Sequence, residues 1–275
     1  MIPYSCDDGR MCGRYASTKS ASDIAAEFDA VDATASSELA APGPDYNVAP
    51  TKPVFAVVAR HPRDAEGTPD RSRTERSVRV MRWGLVPYWA KDPSVGSRMF
   101  NARSETAAEK PAYRKAMVSR RCLLPADGWY EWQRLEQDGS GRPAKQPFFV
   151  TGTEGASLAM AGVWEFWRSS DGGDPLVTSA VLTTAAIAPL DGIHERMPLL
   201  VPRRGWADWL DPDTGPTSDQ VAALLNPSVE LIERLELRPV SDKVNNVRNE
   251  GSELWERAEV AGPEPTQQAL SLDLR

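Results

Sequence analysis

Four short segments carry chemically capable side chains at close spacing: MCGRY (11–15), FNARSET (100–106), ADGWYEW (126–132) and IHERMP (193–198). In three of them a residue able to attack, position or move a proton is followed two positions later by arginine. The pairs are Cys12 with Arg14, Asn101 with Arg103, and His194 with Arg196. Residues i and i+2 of an extended chain point to the same face, so each reactive side chain is expected to have a guanidinium beside it. Guanidinium groups fork onto phosphate oxygens, and the repeated pairing points to an anionic, phosphate-bearing substrate more than to scattered surface ion pairs.

The fourth segment offers Glu131. In a strand, alternation puts it on the face of Trp129, with Tyr130 and Trp132 on the other. A carboxylate against an indole loses hydration, which raises its proton affinity toward the range useful for acid–base work. An ordinary half-exposed strand glutamate is the alternative. Trp83, Trp89 and Trp132 lie near these segments. Exposed tryptophans stack on the bases of single-stranded nucleic acid, although core packing is their commoner use.

Other chemistries find no support. The chain has no CxxC and no HxxxH, and its two histidines are His61, in a polar stretch, and His194. A zinc site would need scattered ligands. Neither GxxxxGK[ST] nor GxGxxG after a strand is present, so no phosphate-cradling loop and no cofactor is expected. The three cysteines (Cys6, Cys12, Cys122) are too few and odd in number for a disulfide framework, which fits a reducing cytoplasm. The first ten residues have no apolar core, so they are no secretory signal. No run of about 18 apolar residues predicts a membrane span. Lys plus Arg number 32 against 39 Asp plus Glu, a net charge of −7. That balance argues against a general nucleic-acid binder and leaves room only for a local basic groove.

The elements that must position these residues are mostly strands. Val54–Ala59, Val78–Trp83, Phe148–Thr151, Leu158–Trp164 and Leu176–Thr183 are short, rich in β-branched or aromatic residues and bounded by turn residues. Asp138-Gly139-Ser140-Gly141 reads as a hairpin tip. Helices are expected at Ser22–Phe28, capped by Ser22, at Pro111–Arg121 with proline in the first turn, and at Ser218–Leu225, with a single turn at Gly205–Leu210. Residues 61–77 suit a surface insertion and residues 259–275 a flexible tail. Strands rarely alternate with long helices, so a doubly wound sheet is not expected. The fold class is α+β: one domain, residues 12–258, with a mostly antiparallel, barrel-like core.

These segments, with YNVAPT (46–51), RWGLVPYWAKD (82–92), CLLPADGWYEW (122–132), AGVWE (161–165), LTTAA (182–186) and VNNVRNEG (244–251), occur in an order that resembles the SOS-response-associated peptidase (SRAP) family. The resemblance covers roughly residues 11–255. It implies a sensor of abasic sites in single-stranded DNA that captures the lesion as a covalent DNA–protein crosslink. The family's initiator methionine is removed, and the exposed cysteine reacts through both amine and thiol. By this resemblance Cys12 is the nucleophile, Glu131 and His194 handle protons and Asn101 positions the sugar. Arg14, Arg103 and Arg196 hold phosphates, while Asn47, Pro50, Thr51, Trp83, Trp132, Thr183 and Met197 shape the groove and wedge the strands apart. A thiol peptidase acting on proteins and a non-covalent DNA-binding module are the alternatives. The implied location is cytoplasmic, nucleoid-associated when bound to DNA.

The sequence departs from the family pattern at its start, because ten residues precede Met11. A blocked amine forms no Schiff base. Translation from Met11 is the expected source of a free Cys12, with autocatalytic removal of residues 1–11, or DNA binding without reaction, as alternatives. At the other end Gln267-Gln268-Ala269-Leu270-Ser271-Leu272-Asp273-Leu274 is similar to peptides that dock on the bacterial sliding clamp, with glutamine displaced by one position and no terminal aromatic.

Overall fold

A computed structural model of the chain describes residues 13–135, 145–170 and 172–259. Cys6, Cys12, the expected hairpin tip at 138–141 and the clamp-like segment at 267–274 lie outside the described residues.

The strands in chain order are β1 (Tyr15–Ser17), β2 (Val31–Asp32), β3 (Asp45–Val48), β4 (Pro53–Arg60), β5 (Glu75–Trp83), β6 (Asn101–Arg103), β7 (Arg121–Ala126), β8 (Gly128–Arg134), β9 (Lys145–Gly152), β10 (Leu158–Trp167), β11 (Leu176–Ala185), β12 (Arg196–Pro198) and β13 (Leu235–Pro239). The helices are α1 (Ala21–Glu27), α2 (Ser104–Ala107), α3 (Arg114–Ser119), α4 (Trp206–Leu210), α5 (Asp219–Leu224) and α6 (Val229–Ile232). The fold is α+β and mostly antiparallel. Strands β5, β4, β7, β10 and β11 are successive antiparallel neighbours, and β11 returns to β5 in parallel through Thr178 opposite Arg82 and Ser179 opposite Trp83. That last pairing closes a ring, in line with the barrel-like, mostly antiparallel core expected from sequence. A second sheet, ordered β13-β9-β8-β1-β3, lies beside it.

Period-two alternation distributes the ring's side chains between two cores. Phe55, Val57 and Ala59 of β4 pack with Ile24 of α1, Trp206 and Trp209 of α4 and Val221 of α5. The intervening Val54, Ala56 and Val58 pack with Trp83, Tyr15, Trp129 and Val150, which joins the barrel to the second sheet. All five long strand segments expected from sequence are present, each extended at one or both ends. Helix ends shift for local reasons. Ser20, two residues before the expected cap, starts α1, because its hydroxyl accepts from the Asp23 amide (3.2 Å) while the Asp23 carboxylate accepts from the Ser20 amide (3.3 Å). The Pro111 helix is confined to Arg114–Ser119. Ser218 caps α5 as expected. The polar insertion between β4 and β5 ends earlier than expected, since β5 starts at Glu75, and it is tied down. The His61 ring bonds the Arg73 carbonyl and the Asp213 carboxylate, each at 2.8 Å. Among the described residues no helix is long and apolar enough to cross a membrane.

Candidate functional site

The chain enters the site through Gly13 and Arg14, just before β1. Tyr15 pairs with Trp129 and Ala16 with Gly128, and the Tyr130 amide donates to the Arg14 carbonyl at 3.0 Å. Continued by one step, this antiparallel register sets Gly13 across from Glu131. Glu131 is 4% exposed. It shares the face of Trp129, which packs into one core while Tyr130 packs into another with Trp132 against it, as strand alternation requires. A side chain on Gly13 would approach the Phe100 ring at 3.9 Å. Cys12 lies outside the described residues.

Aromatic packing carries this position across to Asn101. Tyr15 meets Trp83 edge-on with ring centroids 5.0 Å apart, and Trp83 meets Phe100 edge-on at 5.7 Å. The Trp83 indole N–H donates to the Phe100 carbonyl at 2.9 Å, and so does the Val181 amide. Trp83 is fully buried, and its described contacts are with Tyr15 and Phe100, next to Asn101. Backbone geometry reinforces the connection. Gly84 has φ +129, its amide donates to the Ser179 carbonyl, and a Cβ there would lie 2.5 Å from the Gly96 carbonyl oxygen. Only glycine fits this approach.

Strand β6 then runs parallel to β11, with Asn101, Ala102 and Arg103 beside Val181, Leu182 and Thr183. Thr183 also faces Pro198 of β12, so β6 and β12 meet at its opposite edges. The Thr183 hydroxyl is buried, 3.5 Å from the Ala102 carbonyl. Arg196 donates to the Thr183 carbonyl (2.7 Å) and forks onto Glu105 of α2 (2.8 Å to Oε2). That guanidinium holds the Glu105 carboxyl below its ordinary range. Met197 is buried. His194 precedes this strand, half-buried, with Nδ1 accepting from the Arg196 amide at 3.1 Å. Nδ1 also lies 3.3 Å from the Arg196 carbonyl. Burial pushes the proton affinity of His194 below the usual histidine value, which favours the neutral imidazole. The Gln133 side chain at the end of β8 donates to the Gly192 carbonyl (3.1 Å), tying the turn before His194 to Glu131's strand.

A third wall is formed by residues 244–249. The Arg14 guanidinium is buried and donates to Asn47 Oδ1 (2.7 Å) and to the carbonyls of Val244 (2.8 Å) and Asn245 (3.2 Å). Asn47 Nδ2 donates to the carbonyls of Asn246 (3.0 Å) and Asn249 (3.2 Å). The Trp132 indole N–H reaches Asn245 Oδ1 at 2.7 Å. Buried Pro50 and exposed Thr51 form the lip nearby. Lys52 N–H bonds the Ala49 carbonyl (3.3 Å), and Thr51 carries φ +79 at the third position of this turn. That is a type II turn with proline where it belongs and a β-branched residue where glycine is favoured.

The three guanidiniums of the i, i+2 pairs therefore differ. Arg14 and Arg196 are engaged with the protein, whereas Arg103 is exposed and has no ion pair among the described residues. Spacing alone missed Glu105, which takes the charge of Arg196, and Asn245, which receives Trp132. Glu105 had a legible signal, two residues after Arg103 in FNARSET, while Asn245 depends on a contact across 113 residues. Trp89 is 56% exposed, unlike Trp83. Among the described residues no three His, Cys, Asp or Glu side chains form a group able to hold a metal ion.

A ring of strands closed by β11 on β5, with a second sheet packed beside it, defines an α+β barrel class. The chain belongs to the SRAP family: the model for SOS response associated peptidase matches residues 11–247. It is 34% identical over 247 residues to the abasic site processing protein YoqW of Bacillus subtilis, covering 90% of this chain and 99% of that protein. It is 32% identical over 230 residues to the abasic site processing protein HMCES of Xenopus tropicalis, covering 75% and 64% respectively. A crystal structure of a protein from Bacteroides thetaiotaomicron is similar in fold, with TM-score 0.69 at 21% identity over 90% of this chain and all of that one.

Proposed function

We propose that this chain processes abasic sites in single-stranded DNA by capturing them covalently on Cys12. The observation that carries the reading is the register that sets Gly13, one peptide bond from Cys12, across from buried Glu131. The names of the YoqW and HMCES relatives supply the substrate class.

The chemistry balances without a cofactor. The ring-opened abasic sugar presents an aldehyde. The α-amine of Cys12, whose kind titrates at about 8, adds to it and water leaves, giving a Schiff base. The thiol then adds across the C=N bond and closes a thiazolidine, with no change of oxidation state. Glu131 and neutral His194 relay the protons of carbinolamine formation and dehydration. Asn101, held by the Trp83–Phe100 contact, positions the sugar. Arg103 holds phosphate, and the Pro50–Thr51 lip and Trp132 shape the groove. Arg14, Asn47, Thr183, Met197 and Arg196 act by position, Arg196 through Glu105. The amine becomes available by translation from Met11 or by self-cleavage before Cys12.

The test separates this reading from a thiol peptidase and from a non-covalent binder. Protein with a free N-terminal Cys12 is incubated with abasic single-stranded DNA before and after acetylation of its α-amine. The expected result is a denaturation-resistant adduct that acetylation abolishes. An adduct that survives acetylation, or binding that never becomes covalent, rejects the reading.

A further inference from the structure

A second concentration of positive charge lies away from the Thr51 lip. Arg60 ends β4, roughly 23 Å along the strand from Pro53. Val57 pairs with Leu123 of β7, and continuing that antiparallel register puts Arg60 across from Arg120, whose carbonyl accepts the Trp164 amide at 2.9 Å. Both guanidiniums lie over the Trp164 ring, 4.3 Å and 5.9 Å from its centroid. Arg79 of β5 stands opposite Ala56 of the same strand β4 and is held by the hydroxyls of Ser77 (3.3 Å) and Ser36 (3.2 Å).

Negative charge is scarce in this set. Glu165 takes one nitrogen of Arg120 at 2.8 Å, and Glu75, opposite Arg60, is paired with Arg73. Arg60 is an exposed residue with no hydrogen bond or ion pair among the described residues, and its guanidinium is partly covered where it lies on the Trp164 ring. Two buried polar atoms also lack a partner there: Nε of Arg120 and Oγ of Ser179, which stands opposite Trp164 on β11. Burial, together with the proximity of Arg79, Arg120 and Arg63, pushes the Arg60 guanidinium down to about 10. Like charges crowded against an indole and short of carboxylates favour an anion with several acceptor oxygens.

We propose that Arg60, Arg79 and Arg120 form a phosphate-binding site with Trp164 as its floor, separate from the site at Gly13 and Glu131. The phosphate belongs either to a strand of DNA running past the barrel or to a free phosphate compound. Cys12 plays no part, so this site and the capture chemistry fail independently.

Isothermal titration of the full chain with pyrophosphate, and with a 20-nucleotide thymidine strand lacking lesions, distinguishes the sources. Arg60→Gln removes a side chain without hydrogen bonds, and a thermal melt checks its fold; Arg79→Gln is the independent second variant. Each variant is expected to weaken pyrophosphate binding at least fivefold. If pyrophosphate does not bind but the variants weaken strand binding and lower its salt slope by about 0.7, the ligand is the DNA backbone. Unchanged titrations with both probes in both variants overturn the proposal.

Discussion

Arg14 and Asn47 meet at 2.7 Å, both buried, and between them they bind four carbonyls of the 244–249 segment. Spacing and family resemblance had placed Arg14 on phosphate and Asn47 on the groove. Their contacts give them a prior task, which is to hold the wall that receives Trp132. Arg14→Lys replaces a fork by a point charge and leaves buried acceptors short of donors. It should cost about 2–3 kcal/mol in urea unfolding. Arg103→Gln should leave stability unchanged and lower the salt slope of DNA binding by about 0.7. The reverse pattern would return Arg14 to the phosphate role.

Thr51 stores backbone strain at the lip. A β-branched residue at φ +79 is costly, and relief by glycine outweighs the added freedom of the unfolded chain. Thr51→Gly should therefore raise stability by about 1 kcal/mol while lowering crosslink yield. A loss of stability would show that the threonine side chain makes compensating contacts.

His194 predicts a pH dependence of known sign. Its folded-state proton affinity lies below the ordinary 6.5, chiefly through burial. As pH falls, the unfolded chain takes this proton first. The stability present above about 6.5 is then lost as pH drops toward the lower folded value. His194→Gln should remove that loss, so its melting temperature should gain on the wild type between pH 7.5 and 5.5. A variant that falls further behind at pH 5.5 would contradict the assignment.

Gly84→Ala tests how Asn101 is held. The new Cβ would press on the Gly96 carbonyl at a φ that alanine resists, at a cost of about 3 kcal/mol. Because the adjacent Leu85 amide bonds the Met99 carbonyl, the damage should reach Phe100 and Asn101. Faster amide exchange at 99–103 is the expected signature, and unchanged exchange there would show that Trp83 suffices.

The long strands of the barrel were legible because alternation and β-branching persist over six or more residues, as in β4 and β11. Short strands such as β6 and β12 carry three residues each and exist because β11 offers both edges at Thr183. Around the candidate site, the alternation that puts Trp129 and Tyr130 in different cores was legible. The environments of the arginines were not. Arg103 and Arg196 both follow a reactive residue by two positions, yet the first faces solvent and the second is bound by Glu105. That difference is made by α2 and β12 packing together, which no local pattern encodes. Trp83 and Trp89 are likewise alike in sequence and opposite in exposure, because only Trp83 has Tyr15 and Phe100 to pack against.

Covalent capture by Cys12 is read out by the intact mass of the protein. Protein expressed from Met11 is weighed before and after incubation with single-stranded DNA carrying one abasic site. The expected starting mass is that of a chain beginning at Cys12, followed by an increase equal to the oligonucleotide less one water. A correctly folded chain beginning at Cys12 that gains no mass would contradict covalent capture.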